Sequence, residues 1–352
     1  MEQQEILRRR LRHQRITGRG FAKPAAVVRA FGAMQAQEFA MACWAVGLRG
    51  SGGDEAAVLR AFDAGEIVRT HVLRPTWHFV AAADLRWILA LSAPRVRAVN
   101  AYQHRQLGLD AADLRRGVTA IDQALAGGEA LTREELQAAL GRAKLPLSGP
   151  ALAYVVMAAE LDAIACSGPL RGRKFTYMHT EKRVAPAPPL TREAALGALA
   201  QRFFETRGPA TPQDFAAWSG LTVRDANDAV AGLGPDFHRE ACAGRPLIFP
   251  RQIPSARKDA PTAVLLPDYD EYGIGYRDRR AFLSPGFRPA FNRLILLDGR
   301  AVGSWRRTLT GKRLKLELQF SETAPARARQ AIDDAAARYG RFIGRPASQG
   351  EE

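Results

Sequence analysis

Two glutamines separated by a single alanine, Gln35-Ala36-Gln37, are the first residues whose type and spacing could do chemistry. A side-chain amide accepts hydrogen bonds at its carbonyl oxygen and donates two from its nitrogen. A pair of such carbonyls can hold a water and support positive charge, less strongly than a carboxylate would. Glu38 follows directly and could act as a general base, although its adjacency to Gln37 points it elsewhere, toward an arginine. A second concentration of polar residues, Arg69, His71, Arg74, Trp77 and His78, lies within one short stretch. A third is acidic and aromatic in an otherwise basic chain: Asp268, Asp270, Glu271, Tyr272, Tyr276 and Arg277. More familiar machinery is missing. His13, His71, His78, His104, His179 and His238 show no metal-ligand spacing with one another or with a cysteine, so no metal is expected. Gly273-Ile274-Gly275 lacks the third glycine of a dinucleotide loop, and neither a Walker loop nor a Gly-x-Ser-x-Gly elbow occurs, so no organic cofactor is expected.

The geometry of the glutamine pair depends on what carries it. On a helix, residues two apart point about 200° from each other. For Gln35 and Gln37 to meet one substrate the helix must end or distort near Ala36. Otherwise one of them touches substrate and the other positions it, or both are solvated residues at a helix end. In the second group, strand alternation puts Arg69 and His71 on one face. His71, Arg74 and His78 could contact phosphate or a bound nucleotide, while Trp77 reads as a core residue at the root of a hairpin. In the third group, the carboxylates of Asp268, Asp270 and Glu271 either pair with Arg277, Arg279 and Arg280 or approach a ligand, with Tyr272 and Tyr276 available for stacking. Arg8 to Arg10, Arg306, Arg307, Lys312 and Arg313 read as phosphate contacts or as solvated charge.

The elements that position these residues repeat along the chain. Periodicity predicts helices over Ile6–Arg15, Pro24–Met34 and Asp54–Ala64, then strands over Ile67–Val72 and Thr76–Val80. Helices followed by a β-hairpin form the winged-helix pattern. It returns with helices over Leu85–Leu91, Arg95–Gln106, Thr132–Leu140 and Ala151–Ile164, and strands over Ala165–Leu170 and Lys174–His179. Thr132 and Glu135 make a capping box, and the apolar Ala151–Ile164 helix is the candidate for the recognition position. After the proline-rich break at 184–190 come helices over Thr191–Thr206, Phe215–Ser219 and Thr222–Ala231, with Gly220 supplying the turn, and strands over Phe237–Glu240 and Pro246–Phe249. The rest is expected to be β-rich: Thr262–Leu266, Asn292–Leu297, Arg300–Thr308 and Arg313–Phe320, with a turn at Asp298-Gly299 and a closing helix over Pro325–Gly340. The expected architecture is therefore α+β, with three tandem winged-helix units at 1–90, 91–186 and 187–250 and a C-terminal β-rich domain at 251–352. Only Ser348 to Glu352 reads as a candidate for disorder.

The 352 residues suit several modules, and the formal net charge of +15 favours a polyanionic partner. Of the basic residues 44 are Arg and 7 are Lys. A GC-rich coding sequence accounts for most of that ratio but not for the net excess. No apolar run of membrane-spanning length and no signal-peptide core occurs, so a cytoplasmic protein without a membrane partner is expected. Cys43, Cys166 and Cys242 are too few and too scattered for a disulfide framework.

Three blocks carry a family resemblance. They are Phe31 to Ala40 around Gln35-Ala36-Gln37, Thr70 to Phe79, and Leu266 to Arg277. Together and in this order they resemble the AlkZ–YcaQ family of winged-helix DNA glycosylases, and Gln37 (rather than Asp) resembles the AlkZ branch. The resemblance implies a monomeric, monofunctional enzyme that binds double-stranded DNA and removes N-alkylated purines of the N7-alkylguanine type. It further implies bulky adducts or interstrand crosslinks as substrates, self-resistance to DNA-alkylating natural products, Gln35 and Gln37 as catalytic residues, and no cofactor. DNA contacts are expected from Arg69, His71, Arg74, His78, Asp270, Tyr272, Arg277, Arg306 and Arg307. The rivals are a non-catalytic winged-helix regulator, which would explain charge and fold equally well, and a protein that sequesters lesions without cutting. Against the regulator, no dimerisation heptad or effector domain is evident.

Overall fold

The computed structural model describes residues 1–242, 244–252, 262–283, 286–289, 292–311, 313–321 and 328–350, with 347–350 as backbone. Lys312 and the segments 253–261 and 322–327, where the closing helix was expected to begin, lie outside the described residues.

After α1 (Gln3–His13), the first unit runs α2 (Pro24–Phe31), β1 (Met34–Gln35), α3 (Phe39–Arg49), α4 (Glu55–Asp63), β2 (Ile67–His71) and β3 (Trp77–Ala81). Its antiparallel sheet has the order β1-β3-β2. A long helix, α5 (Leu85–Gln106), leads to α6 (Ala111–Leu125), β4 (Leu131–Thr132), α7 (Arg133–Arg142), α8 (Gly149–Leu161), β5 (Ala165–Ser167) and β6 (Thr176–His179). The sheet order β4-β6-β5 repeats the first. Past α9 (Thr180–Arg183) the succession returns as α10 (Arg192–Arg207), α11 (Pro212–Ser219), α12 (Val223–Ala231), β7 (Phe237–Cys242) and β8 (Arg245–Pro250). There a single antiparallel bridge, Ala210 to Ile248, stands where the first strand would be. Finally β9 (Ala263–Leu265), α13 (Glu271–Ile274), β10 (Arg293–Leu297), β11 (Arg300–Thr310), β12 (Arg313–Phe320), α14 (Arg329–Phe342) and β13 (Ala347–Gly350) build a sheet ordered β13-β12-β11-β10-β9. The whole is a mixed α+β fold of winged-helix-like parts.

Local chemistry explains most boundaries. Thr132 with Glu135, Thr211 with Asp214 and Thr222 with Asp225 each close a reciprocal capping box, as does Asp110 with Asp113. Each cap satisfies helix N–H groups that would otherwise be orphaned, a contribution of about 1 kcal/mol. Gly220 ends α11 in the left-handed region at φ 70°, and a Cβ there would lie 2.3 Å from Leu73 O. The turn between α11 and α12 thus presses directly on the turn of the β2–β3 hairpin.

Several expectations are corrected. The three helices of the first unit are α2, α3 and α4, while α1 stands outside it. Helix α3 has no amphipathic stripe because it is enclosed: Met41 to Val46, Leu48 and Arg49 are all buried. Trp44 donates to Leu265 O at 2.8 Å and meets Tyr339 edge to face and Phe342 at a tilt, so the C-terminal sheet and α14 cover α3. The expected break at Pro94 does not occur; α5 is continuous, and its buried residues on either side, Ile88, Leu89, Leu91, Ser92 and Val96, outweigh the lost hydrogen bond. Helix α8, the expected candidate for the recognition position, has no exposed residue from Ala151 to Glu160. Ser348 to Gly350 pair as part of β13, parallel to β12, while Glu351 and Glu352 lie outside the described residues.

Candidate active site

The glutamine pair straddles a strand end and is not on a helix: Gln35 closes β1 and Gln37 lies in the bend just beyond it. α2 stops at Phe31, Gly32 turns the chain at φ 73°, and Met34 and Gln35 pair with Phe79 and His78 of β3. Ala36 N–H then donates to Trp77 O at 2.7 Å, carrying the ladder one residue further. On extended backbone, residues two apart share a side. Ala36 therefore turns into the core, completely buried, while Gln35 is half-buried and Gln37 exposed. The 200° divergence that a helix would impose on the two side chains therefore does not apply here.

Protein contacts fix this backbone atom by atom. Gln35 N–H donates to Glu271 Oε1 at 2.9 Å. Ala33 O accepts from Arg207 Nη2 at 3.1 Å, and Ala36 O from Arg69 Nε at 2.9 Å. Arg69 Nη2 also reaches Gln37 O at 3.3 Å. The side chains are oriented as well: Gln35 Oε1 accepts from Arg74 Nη2 at 3.1 Å, and Gln37 Oε1 from Trp77 N–H at 3.4 Å. Each carbonyl keeps a second lone pair.

Around this segment the structure gathers Arg69, His71, Arg74 and His78 from the hairpin, but not as a row of DNA contacts. Arg69 is nearly buried between the rings of Trp77 and Phe175, at 4.3 and 4.8 Å, and burial lowers its pKa to about 10. It braces the loop. His78 has no exposed surface, so it cannot touch DNA in this conformation; its Nδ1–H donates to Thr76 O at 2.8 Å, and burial holds its pKa well below the usual range. His71 bonds Glu160 through Nδ1 and lies 3.9 Å from the Trp77 ring. Arg74 is half-buried beside Gln35.

The acidic–aromatic loop is also interior. Asp270 receives Arg49 Nη1 and Nη2 at 2.9 and 2.8 Å, and Tyr272 OH donates to Gly299 O at 2.9 Å. Both are buried with their polar groups bound by protein, so the expected DNA contact gives way to a structural role. Glu271, equally buried, is the hub: its Oε2 accepts from Arg207 and from Trp218 Nε1 at 2.9 Å while its Oε1 holds Gln35. Arg277 does expose its side chain, its backbone N–H held by Asp214 Oδ1 at 2.8 Å. Arg306 and Arg307 lie on β11, against Glu317 and Tyr339 respectively. Among the described residues no cluster of three or more His, Cys, Asp or Glu could hold a metal ion. No helix of the described residues is long and apolar enough to cross a membrane.

Sequence reasoning missed Glu160, Arg207 and Trp218. Glu160 had left a trace, as the single acidic residue in the apolar stretch from Ala151 to Leu161. Arg207 and Trp218 left none, because their significance lies in a carboxylate that follows far along the chain.

A family model described as "DNA glycosylase AlkZ-like" matches residues 28–342. Among solved structures, the Streptomyces sahachiroi DNA glycosylase AlkZ superposes with a TM-score of 0.80, covering 99% of this chain and 100% of that one at 20% identity, a likeness of fold. A search of curated proteins finds no significant match. Since the family model spans most of the sequence, glutamine segment included, the chain belongs to the AlkZ-like DNA glycosylase family.

Proposed function

We propose that this protein is a monofunctional glycosylase that hydrolyses the N-glycosidic bond of N7-alkylated purines in duplex DNA, acting as a monomer built from three winged-helix units and a C-terminal β-rich domain. Bulky adducts and interstrand crosslinks fall within its substrates, and its role is repair and self-protection against DNA-alkylating natural products. The observation that carries this reading is the fixed backbone of residues 33–37, which presents two partly free amides from a rigid strand end. An N7-alkylpurine is cationic and leaves as a neutral base, so its bond is already weak and the transition state resembles an oxocarbenium ion. Such a reaction needs no strong acid. It needs acceptors already aimed at a water and at the developing charge, which Gln35 and Gln37 supply without reorganising.

Duplex binding is assigned to arginines whose contacts with phosphate carry no sequence information. Arg277, Arg74, Arg306 and Arg307 are the proposed contacts. Strand cleavage by β-elimination would need an amine nucleophile. Lys23, the only lysine before Lys144, is exposed at the start of α2.

The test is a duplex with one N7-methylguanine. Free base and an intact abasic site are expected, with no protein–DNA adduct trapped by borohydride. An uncut lesion, or tight binding to one palindrome instead, would overturn the proposal.

A further inference from the structure

A buried carboxylate pairs with the hairpin that holds the glutamine segment and has no part in the proposed chemistry. Glu160, on α8 of the second unit, has no exposed surface. Its Oε2 meets Nδ1 of His71, its Oε1 has no hydrogen-bond partner, and His71 is its only ion-pair partner among the described residues. Sealing a carboxylate from water is costly unless it is paired. An apolar residue would suit the surrounding helix better, so the charge calls for a use.

Its partner is well placed to provide one. His71 pairs across the sheet with Trp77, whose backbone N–H holds Gln37 Oε1 and whose carbonyl holds Ala36. Arg69, on the same face as His71, grips the carbonyls of Ala36 and Gln37. With Nδ1 turned to the carboxylate, Nε2 is the nitrogen of the ring left for other work. The charged and titratable groups around the pair are Arg69 on β2, His78 on β3, Cys166 on β5 and Tyr177 on β6.

We propose that His71 and Glu160 form a proton-accepting dyad, contributed by two units, that takes the proton of the attacking water. This rests on the glycosylase reading. The water oxygen bonds to C1′ of the sugar. The bond from C1′ to N9 breaks, and its electron pair neutralises the cationic purine, which departs. The proton of the water passes to His71 Nε2 and later to solvent. Glu160 keeps the Nδ1–H in place and balances the imidazolium charge. His71 is the catalytic residue and Glu160 the positioning residue.

Single-turnover release of N7-methylguanine decides the matter, with duplex affinity measured in parallel. His71→Ala should slow release by about 100-fold or more while duplex affinity holds. Added imidazole should restore part of the rate in that variant and do nothing for Gln37→Ala. Glu160→Gln keeps an acceptor for Nδ1–H and loses only the charge, so release should slow on the order of tenfold. Wild-type rates in both variants, or a loss in His71→Ala that imidazole leaves untouched, overturn the dyad. If His71→Ala does not fold, Glu160→Gln decides alone: an undiminished rate refutes the proposal. If the unmodified protein releases no base, the glycosylase reading has failed first, and Gln37→Ala will have no rate to lose.

Discussion

Arg207 and Glu271, each without exposed surface, bond at 3.0 and 2.6 Å through Nε and Nη2 of the guanidinium. The remaining donors of Arg207 end on Phe31 O, Thr206 Oγ1 and Ala33 O, and the remaining oxygen of Glu271 ends on Gln35 N–H. One ion pair therefore ties α10 and α13 to the loop that leaves α2. Glu271→Gln would strand the guanidinium in a dry interior without its counter-charge. The expected cost is about 3–5 kcal/mol of stability, read from urea denaturation. An unchanged midpoint would contradict the role given to this pair.

Gln35→Ala and Gln37→Ala should each reduce base release by on the order of 100-fold or more and leave duplex binding nearly intact. The loss should be milder for the most labile cationic adducts, whose leaving groups need less help. Gln37→Glu is the sharper probe. Gln37 uses its oxygen toward Trp77 N–H, a contact that a carboxylate retains. If that oxygen also orients water, Glu keeps activity; if the NH₂ group matters, Glu is as damaging as Ala. Full activity in the double alanine variant would remove the site assignment altogether.

Stability should fall on acidification. His13 is buried, donates from Nδ1 to Gly208 O at 2.7 Å, and has its pKa pushed down to about 4 by desolvation. The unfolded chain then binds more protons than the folded one between the usual histidine range and that value. The contribution is complete above pH 6.5 and is lost progressively as pH falls toward 4, reaching up to about 3 kcal/mol. His78 acts in the same direction, since its pKa is also lowered. Urea midpoints at neutral and mildly acidic pH test this, and His13→Asn should flatten the difference. A wild-type midpoint that does not move would refute it.

Gly220→Ala tests the contact between the first and third units. The substitution places a methyl on left-handed backbone and against the carbonyl of Leu73, a neighbour that cannot swing aside. A loss of about 2–4 kcal/mol is expected. Base release should fall as well, because Arg74 follows Leu73 and orients Gln35. Thermal unfolding with no shift would mean that the two turns are not pressed together in solution.

What the sequence revealed follows from how locally each feature is encoded. The capping threonines Thr132, Thr211 and Thr222 and the turn at Gly220 act over a few residues, and the helices that they open or close were legible. β1 was not, because two residues have no periodicity and become a strand only by pairing with β3. That single omission left the geometry of the glutamine pair open. α3 was hidden by its own burial, being apolar on every side. Asp270 and Tyr272 read as surface groups since carboxylates seldom enter cores, yet Arg49, on α3, draws Asp270 inside. The side chains that could be named in advance were those whose type alone suggests chemistry; the ones that hold them were readable only from the fold.

The distance along the chain between Gln35 and its anchor has a bearing on how the protein is made. Ribosomes deliver the strand carrying the glutamines early, and Glu271 arrives 236 residues later. Throughout that interval the Gln35 N–H has only solvent to bond, and Arg207, once translated, lacks its counter-charge. A nascent chain can thus form its first hairpin and begin to fold without owning a preorganised centre. An incomplete translation product that stops short of Glu271 would therefore carry the glutamines without the carboxylate that holds the Gln35 N–H.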